Sequence, residues 1–201
     1  MSEQDHYFTA QPASPAERRL LRVRLAGRDV EVETAGGIFS PDHVDLGTRV
    51  LLDNVPEPPA QGDLLDLGCG WGPIALTLAL ESPGARVWAV DVNERALDLT
   101  RRNAERLGAT NLHAVTPDRV PEDVVFAAIW SNPPIRVGKE ALHAMLTQWL
   151  GRRETGAEAH LVVGKNLGAD SLHRWIAAEL GVAVERTASA KGFRVLSVRD
   201  R

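Results

Sequence analysis

Short apolar blocks alternate along the chain with longer segments whose apolar positions recur every three or four residues. Blocks at 64–65, 85–90, 111–115, 124–130 and 159–163 read as strands, and segments at 73–80, 94–107, 138–150 and 172–180 read as helices. Strand, helix, strand in repetition predicts a mostly parallel sheet with helices on its faces. The block at 124–130 is almost wholly apolar, which suits a central strand buried on both sides. In the segment at 138–150, Ala141, Leu142, Met145, Leu146 and Trp149 share one face.

The pattern changes at both ends. Residues 22–25 and 29–33 alternate in type around Ala26-Gly27-Arg28, which predicts a hairpin. Residues 182–188 and 193–198 do the same around Ser189-Ala190-Lys191-Gly192. Between the first hairpin and the first parallel strand lie the loop Ala35-Gly36-Gly37-Ile38-Phe39-Ser40-Pro41 and a helix over 45–54. That helix is ended by Val55-Pro56-Glu57-Pro58-Pro59. Residues 1–17 are polar and proline-containing and predict little regular structure. The expected organisation is one α/β domain over 1–201, with a hairpin, loop and helix in 1–60 and the main sheet in 61–201.

Composition narrows the picture modestly. The chain has 201 residues, 44% of them hydrophobic and 25% charged, with a formal net charge of -4. That balance opposes attachment to nucleic acid by overall charge, while leaving room for a local basic face. Arg18, Arg19, Arg22, Arg24 and Arg28 concentrate positive charge in the first hairpin. They read either as a solvated strand face, the reading favoured here, or as a phosphate-contacting patch. The single cysteine, Cys69, can form neither an internal disulfide nor a cysteine zinc cluster. The histidines lack ligand spacing, so no metal is expected. Without a leader or a membrane-length apolar stretch, the expected location is cytoplasmic.

The candidate chemistry sits in two motifs. Asp66-Leu67-Gly68-Cys69-Gly70-Trp71-Gly72 joins a strand to a helix, the layout of a nucleotide-cofactor loop. Its spacing is GxGxG with Pro73 following, and Asp66 stands just before the turn. An acid there would repel a pyrophosphate and favour a cationic ligand. A cofactor with a nucleoside end and a positive amino-acid end fits, and S-adenosylmethionine is such a molecule. The plain alternative is a tight turn that needs glycine for its backbone angles. Asp91 follows at the end of the next strand, at the interval from which an acid reaches ribose hydroxyls. It could instead cap the helix over 94–107. Asp118 could face an adenine amino group or be an exposed turn residue.

The second motif, Ser131-Asn132-Pro133-Pro134-Ile135-Arg136, ends the central strand. Two prolines fix the backbone and remove two N–H donors. Acceptors remain: the Asn132 side-chain oxygen and the carbonyls of Asn132 and Pro133. Such a cluster can hold both hydrogens of an exocyclic amine and aim its lone pair at an incoming methyl. A rigid strand-ending turn is the competing reading. Arg136 and Lys139 flank the motif, either as phosphate contacts or as a solvated helix start.

Together the motifs resemble class I S-adenosylmethionine-dependent methyltransferases, and more narrowly the small-domain ribosomal RNA guanine-N2 methyltransferases. Also part of the resemblance are His6-Tyr7-Phe8, Gly37-Ile38-Phe39-Ser40, Asp45-Leu46-Gly47-Thr48, Asp91-Val92-Asn93 and Lys191-Gly192-Phe193-Arg194-Val195-Leu196. The resemblance implies a Rossmann-like, seven-stranded, mostly parallel sheet flanked by helices, with an antiparallel hairpin at one end. Asp66, Gly68, Cys69 and Gly70 would line the methionine end of the cofactor. Asp91 would bind the ribose, Asn93 would lie near the adenine, Asp118 would contact its amino group, and Val92 and Asn132 would belong to the same cofactor site. Asn132, Pro133 and Pro134 would receive the amine of a guanine in ribosomal RNA or a ribosomal subunit. Ile135 stands where many exocyclic-amine methyltransferases have an aromatic, so stacking on the base would fall to Phe39. Adenine N6, a protein glutamine and a small amine are alternative acceptors. A cofactor-binding RNA module without turnover is the non-catalytic alternative.

Overall fold

The computed structural model describes residues 17–201. The segment before Glu17, with His6-Tyr7-Phe8, lies outside the described residues. Strands β1 (Arg18–Leu25) and β2 (Arg28–Ala35) pair antiparallel as a separate two-stranded sheet. Ala26 and Gly27 turn between them with φ of 48° and 70°. That handedness matches the twist of the flanking strands. Helix α1 (Leu46–Leu52) follows, capped by Asp45, whose carboxylate accepts the Gly47 and Thr48 amide hydrogens.

The main sheet contains β3 (Asp63–Leu67), β4 (Arg86–Val90), β5 (Leu112–Val115), β6 (Phe126–Ser131), β7 (Arg153–Gly164), β8 (Ala183–Ala190) and β9 (Phe193–Arg199). Their order is β5-β4-β3-β6-β7-β9-β8. The first five are parallel, and β9 runs antiparallel to both β7 and β8. Helices α2 (Pro73–Glu81), α3 (Glu94–Leu107), α4 (Lys139–Leu150) and α5 (Ala169–Glu179) complete the expected Rossmann-like architecture. The chain leaves β3 in one direction through β4 and β5, then returns to its other side at β6. A crevice therefore opens beyond the C-terminal ends of β3 and β6, where such sheets take their ligands.

The strand period divides the core between two faces. Leu64 packs with α1, α2 and α3 (Val50, Ala75, Leu97), whereas Leu65 packs with α4 and α5 (Leu146, Ile176). Each leucine is fully buried, which contributes about 1.5–3 kcal/mol. A register shift between Phe126 and Ala128 lets β6 keep both faces filled: Phe126 and Ile129 point to one, Ala128 and Trp130 to the other.

Two elements exceed what the apolar pattern marks. β7 begins at Arg153, six residues before the expected 159, because its first half is polar and exposed. α5 starts at Ala169, directly after Gly168 in the left-handed region. The hairpin arginines are largely neutralised. Arg18 pairs with Glu33, Arg19 with Asp42, Arg22 with Glu31 and Arg24 with Asp29. The solvated-face reading accounts for them.

Asn103 in α3 fastens this hairpin to the main sheet. Its side chain accepts the Glu33 N–H at 2.6 Å and donates to the Glu33 and Trp71 carbonyls at 3.0 and 3.1 Å.

Candidate active site

The glycine loop leaves β3 with Gly68, Gly70 and Gly72 at φ of 79°, 56° and 96°. Gly72 is the N-cap of α2 and has no side chain to satisfy the first turn. Asp66 does so from the strand below, accepting the Ala75 N–H at 2.9 Å. Gly72 must also stay small, since a Cβ there would stand 2.9 Å from Thr100 Cγ2. Asp66 is therefore fully buried beneath the loop. Its Oδ1 has no hydrogen-bond partner. Burial pushes its carboxyl up to about 8, the Ala75 hydrogen bond opposes the rise, and the neighbouring Asp91 charge adds to it.

Four of the loop's N–H groups are already paired. Those of Gly68 and Cys69 donate to the Val90 carbonyl at 2.8 and 3.1 Å, and that of Gly72 to the Cys69 carbonyl at 2.9 Å. Gly70 N donates to Asp91 Oδ2 at 2.9 Å. A diphosphate would find no free amide cradle here. Cys69 is buried against Thr100 Oγ1, 3.9 Å away. Burial pushes its thiol well up, so it acts as a small side chain under the turn.

Asp91 sits just past β4. Its Oδ1 accepts the Asn93 N–H at 2.9 Å. Each of its oxygens retains accepting capacity, and burial raises its pKa. The cap of α3 is Asn93, not Asp91. The buried Asn93 carboxamide accepts from Arg95 N and Ala96 N and donates to the Gly37 carbonyl at 3.0 Å. That side chain serves the helix and the glycine turn above it. Val92 is 47% exposed beside it. Asp118 lies in an exposed 3-10 turn (Pro117–Arg119) beyond β5, beside Arg119. The Thr116 hydrogen bond lowers its pKa.

The Asn-Pro-Pro segment meets the loop directly. Ser131 Oγ donates to the Leu67 carbonyl at 2.6 Å, tying the ends of β6 and β3 together. A Cβ on Gly68 would stand 3.6 Å from Pro134 Cδ and 4.0 Å from the Asn132 carbonyl oxygen. Asn132 Nδ2 donates to Asp45 Oδ2 at 2.9 Å and approaches Thr48 Oγ1 at 3.1 Å. Both amide hydrogens are thus committed to α1, and Oδ1 is left as the free acceptor. The Pro133 carbonyl already accepts the Ile135 N–H at 2.8 Å, so it offers one remaining lone pair. Ile135 packs against the α4–α5 side of the core and does not stand in for a stacking aromatic. Arg136 and Lys139 are exposed beyond it.

A small cleft lies between the two motifs and α1, lined by Phe39, Asp45, Thr48, Gly68, Gly70, Trp71 and Asn132 among others. Phe39, 40% exposed, stands at this cleft. Trp71 Nε1 donates to the Ser40 carbonyl at 3.2 Å, fastening the Phe39 loop to the glycine loop. Asp45, Thr48 and Trp71 carried no role in the sequence reading. The Asp45-to-Gly47 spacing signals a helix cap, but nothing in the sequence points it at Asn132. Asp91, Val92 and Asp118 lie outside this cleft, beyond the ends of β4 and β5.

Residues 29–197 match the family described as the methyltransferase small domain. The chain belongs to that family. It is an S-adenosylmethionine-dependent methyltransferase. Within the family, it is 34% identical over 198 residues to the uncharacterized protein YbxB of Bacillus subtilis, covering 97% of this chain and 98% of that one. It is 33% identical over 197 residues to ribosomal RNA small subunit methyltransferase C of Ectopseudomonas mendocina, covering 94% of this chain and 57% of the relative. The chain thus spans little more than half of that methyltransferase. A structure of the T. thermophilus 16S rRNA N2 G1207 methyltransferase in complex with AdoMet and guanosine shares the fold. Its TM-score is 0.79 at 24% identity, over 93% of this chain and 52% of that one.

The residues present fit the family's methyl donor. The loop offers no cradle for a diphosphate, Asp66 Oδ1 is buried without a partner, and Asp91 retains accepting capacity at the end of β4. Among the described residues no group of acids, histidines and cysteine could hold a metal ion, and no helix is long and apolar enough to cross a membrane.

Proposed function

We propose that this methyltransferase acts on an exocyclic amine of ribosomal RNA, with the N2 of a guanine as acceptor. The observation that carries the reading is the fixed Asn132 carboxamide, whose N–H groups are held by Asp45 and Thr48. Asn132 Oδ1, the Asn132 carbonyl and the second lone pair of the Pro133 carbonyl then accept the two hydrogens of a planar NH2. Holding both hydrogens turns the nitrogen lone pair toward the glycine loop, which Pro134 adjoins. The cofactor supplies an electrophilic methyl on a sulfonium, so positioning rather than acid–base power is required of the protein. Gly68, Cys69 and Gly70 would line its methionine end. Asp91 would take the ribose hydroxyls, with Val92 beside it and Asp118 at the adenine amino group. Phe39, at the cleft, would stack on a base flipped out of its helix. The names of the relatives support ribosomal RNA as the substrate class.

The test is methyl transfer from labelled S-adenosylmethionine to ribosomal RNA from cells lacking this protein, followed by nucleoside mass spectrometry. N2-methylguanosine is expected, and Asn132→Ala should abolish it. Labelled N6-methyladenosine or a labelled protein in its place would refute the guanine assignment. Intact transfer by Asn132→Ala would refute the mechanism.

A further inference from the structure

Charge is distributed unevenly around the rim of the crevice. On the β4–β5 side stand Asp91, Glu94 and Asp118. On the β6–β7–β9 side stand four exposed cations: Arg136 and Lys139 after β6, Lys165 after β7, and Lys191 at the tip of the β8–β9 turn. Sequence separates them by up to 55 positions, and the sheet gathers them. Gly164, the last residue of β7, pairs with Phe193, the first of β9. Lys165 N donates to the Gly192 carbonyl at 2.8 Å, so the β8–β9 turn lies against the C-terminal end of β7. β7 in turn pairs with β6 up to Ser131, the residue before Asn132.

Among the described residues none of these four cations forms an ion pair, in contrast to Arg18, Arg19, Arg22 and Arg24 of the first hairpin. Acids on this side include Glu140, next to Lys139, and Asp170, which is paired with Arg194. Large exposed apolar side chains collect here too. Val137 is 36% and Leu167 49% exposed, in the same two 3-10 turns as Arg136 and Lys165, and Phe39 stands at the adjoining cleft. Cations beside exposed apolar side chains, with the Phe39 ring at the adjoining cleft, fit the phosphates and unstacked bases of an unpaired strand. A duplex keeps its base faces stacked inside.

We infer that the β6–β7–β9 half of this rim seats single-stranded RNA flanking the target base, with Arg136, Lys139, Lys165 and Lys191 on its phosphates. This deepens the proposed function by supplying the RNA-holding surface. It also explains how a chain of net charge -4 engages a polyanion. The fixed charges of the hairpin do not take part.

The test is equilibrium binding of a fluorescent single-stranded RNA of about ten nucleotides across a salt series, with the full chain. Arg136→Gln, Lys139→Gln, Lys165→Gln and Lys191→Gln combined should weaken binding at least tenfold. They should also flatten the salt dependence by about three units of slope, at roughly 0.7 per phosphate contact. Arg22→Gln with Arg24→Gln should change affinity less than twofold. Unchanged affinity for S-adenosylmethionine in both variants shows that the fold is intact. Wild-type affinity in the rim variant, an equal loss in the hairpin variant, or equal competition by duplex RNA would overturn the inference. The readout needs no methyl transfer. A wild-type chain that binds RNA through the rim but methylates no guanine therefore refutes the proposed function alone.

Discussion

Asn132 Nδ2 and Asp45 Oδ2 lie 2.9 Å apart, joined across 87 positions of sequence. The same Asp45 oxygen accepts the Gly47 and Thr48 N–H groups at 2.7 and 3.2 Å. One carboxylate thus starts α1 and sets which way the Asn132 carboxamide faces. Asp45→Asn keeps an oxygen for the cap but can offer Asn132 a donor, which allows the Asn132 amide to turn over and present NH2 to the substrate. The expected result is a kcat lower by about a hundredfold, with affinity for S-adenosylmethionine within twofold of wild type. Steady-state kinetics alongside direct binding of the cofactor check this.

Asp66 should make the protein's stability fall with rising pH. Its folded pKa of about 8 lies above the ordinary 3.8, so the folded chain holds a proton between those values that the unfolded chain has released. Stability contributed by the neutral carboxyl is full below pH 4 and is lost as pH rises toward 8. His143 and His160, both lowered by burial, act in the opposite sense as they lose their protons. The quantity to read is therefore the difference between wild type and Asp66→Asn. Urea melts from pH 5 to pH 8.5 should show the variant gaining relative stability throughout.

The same carboxyl links proton release to cofactor binding. A cationic ligand next to Asp66 favours its ionised form, so binding at pH 7 should release a fraction of a proton. Calorimetry in buffers of different ionisation enthalpy measures this directly. Asp66→Asn should abolish the buffer dependence.

Gly47 in α1 lies against Phe193 of β9. A Cβ there would stand 2.8 Å from Phe193 Cε1 and 2.9 Å from Asp45 Oδ2. Gly47→Ala should destabilise the chain by about 1–3 kcal/mol through overpacking. Phe193→Leu should recover part of that loss, leaving a measurable coupling in a double-mutant cycle.

Asn103→Ala should cost about 2–4 kcal/mol, since it leaves the Glu33 N–H and the Glu33 and Trp71 carbonyls without their buried partner. Thermal melts give the loss. Faster hydrogen exchange along β2 would localise it to the hairpin.

The order of elements was legible in the sequence because burial imposes a period. Leu64 and Leu65 face opposite layers, and the apolar block ending at Trp130 has neighbours on both sides, so their blocks mark the central strands. The expected helix over 94–107 appears with those limits, bounded by Asn93 and Gly108 as its caps. The first half of β7 was not legible, because Glu154, Thr155 and Gly156 are exposed and carry no burial signal.

The two motifs by themselves determined a glycine turn with an acid beneath it and a proline-rigidified acceptor at a strand end, because those are local consequences of φ preference and missing N–H groups. The tertiary structure decided which groups face the ligand. It put Asp66 under the loop as a surrogate cap, turned Asn93 into α3, and locked Asn132 through Asp45 and Thr48. It also carried Lys165 and Lys191 to the rim beside Arg136. Such arrangements depend on which strands are neighbours in the sheet and on how far each extends, and no local pattern in the chain records either.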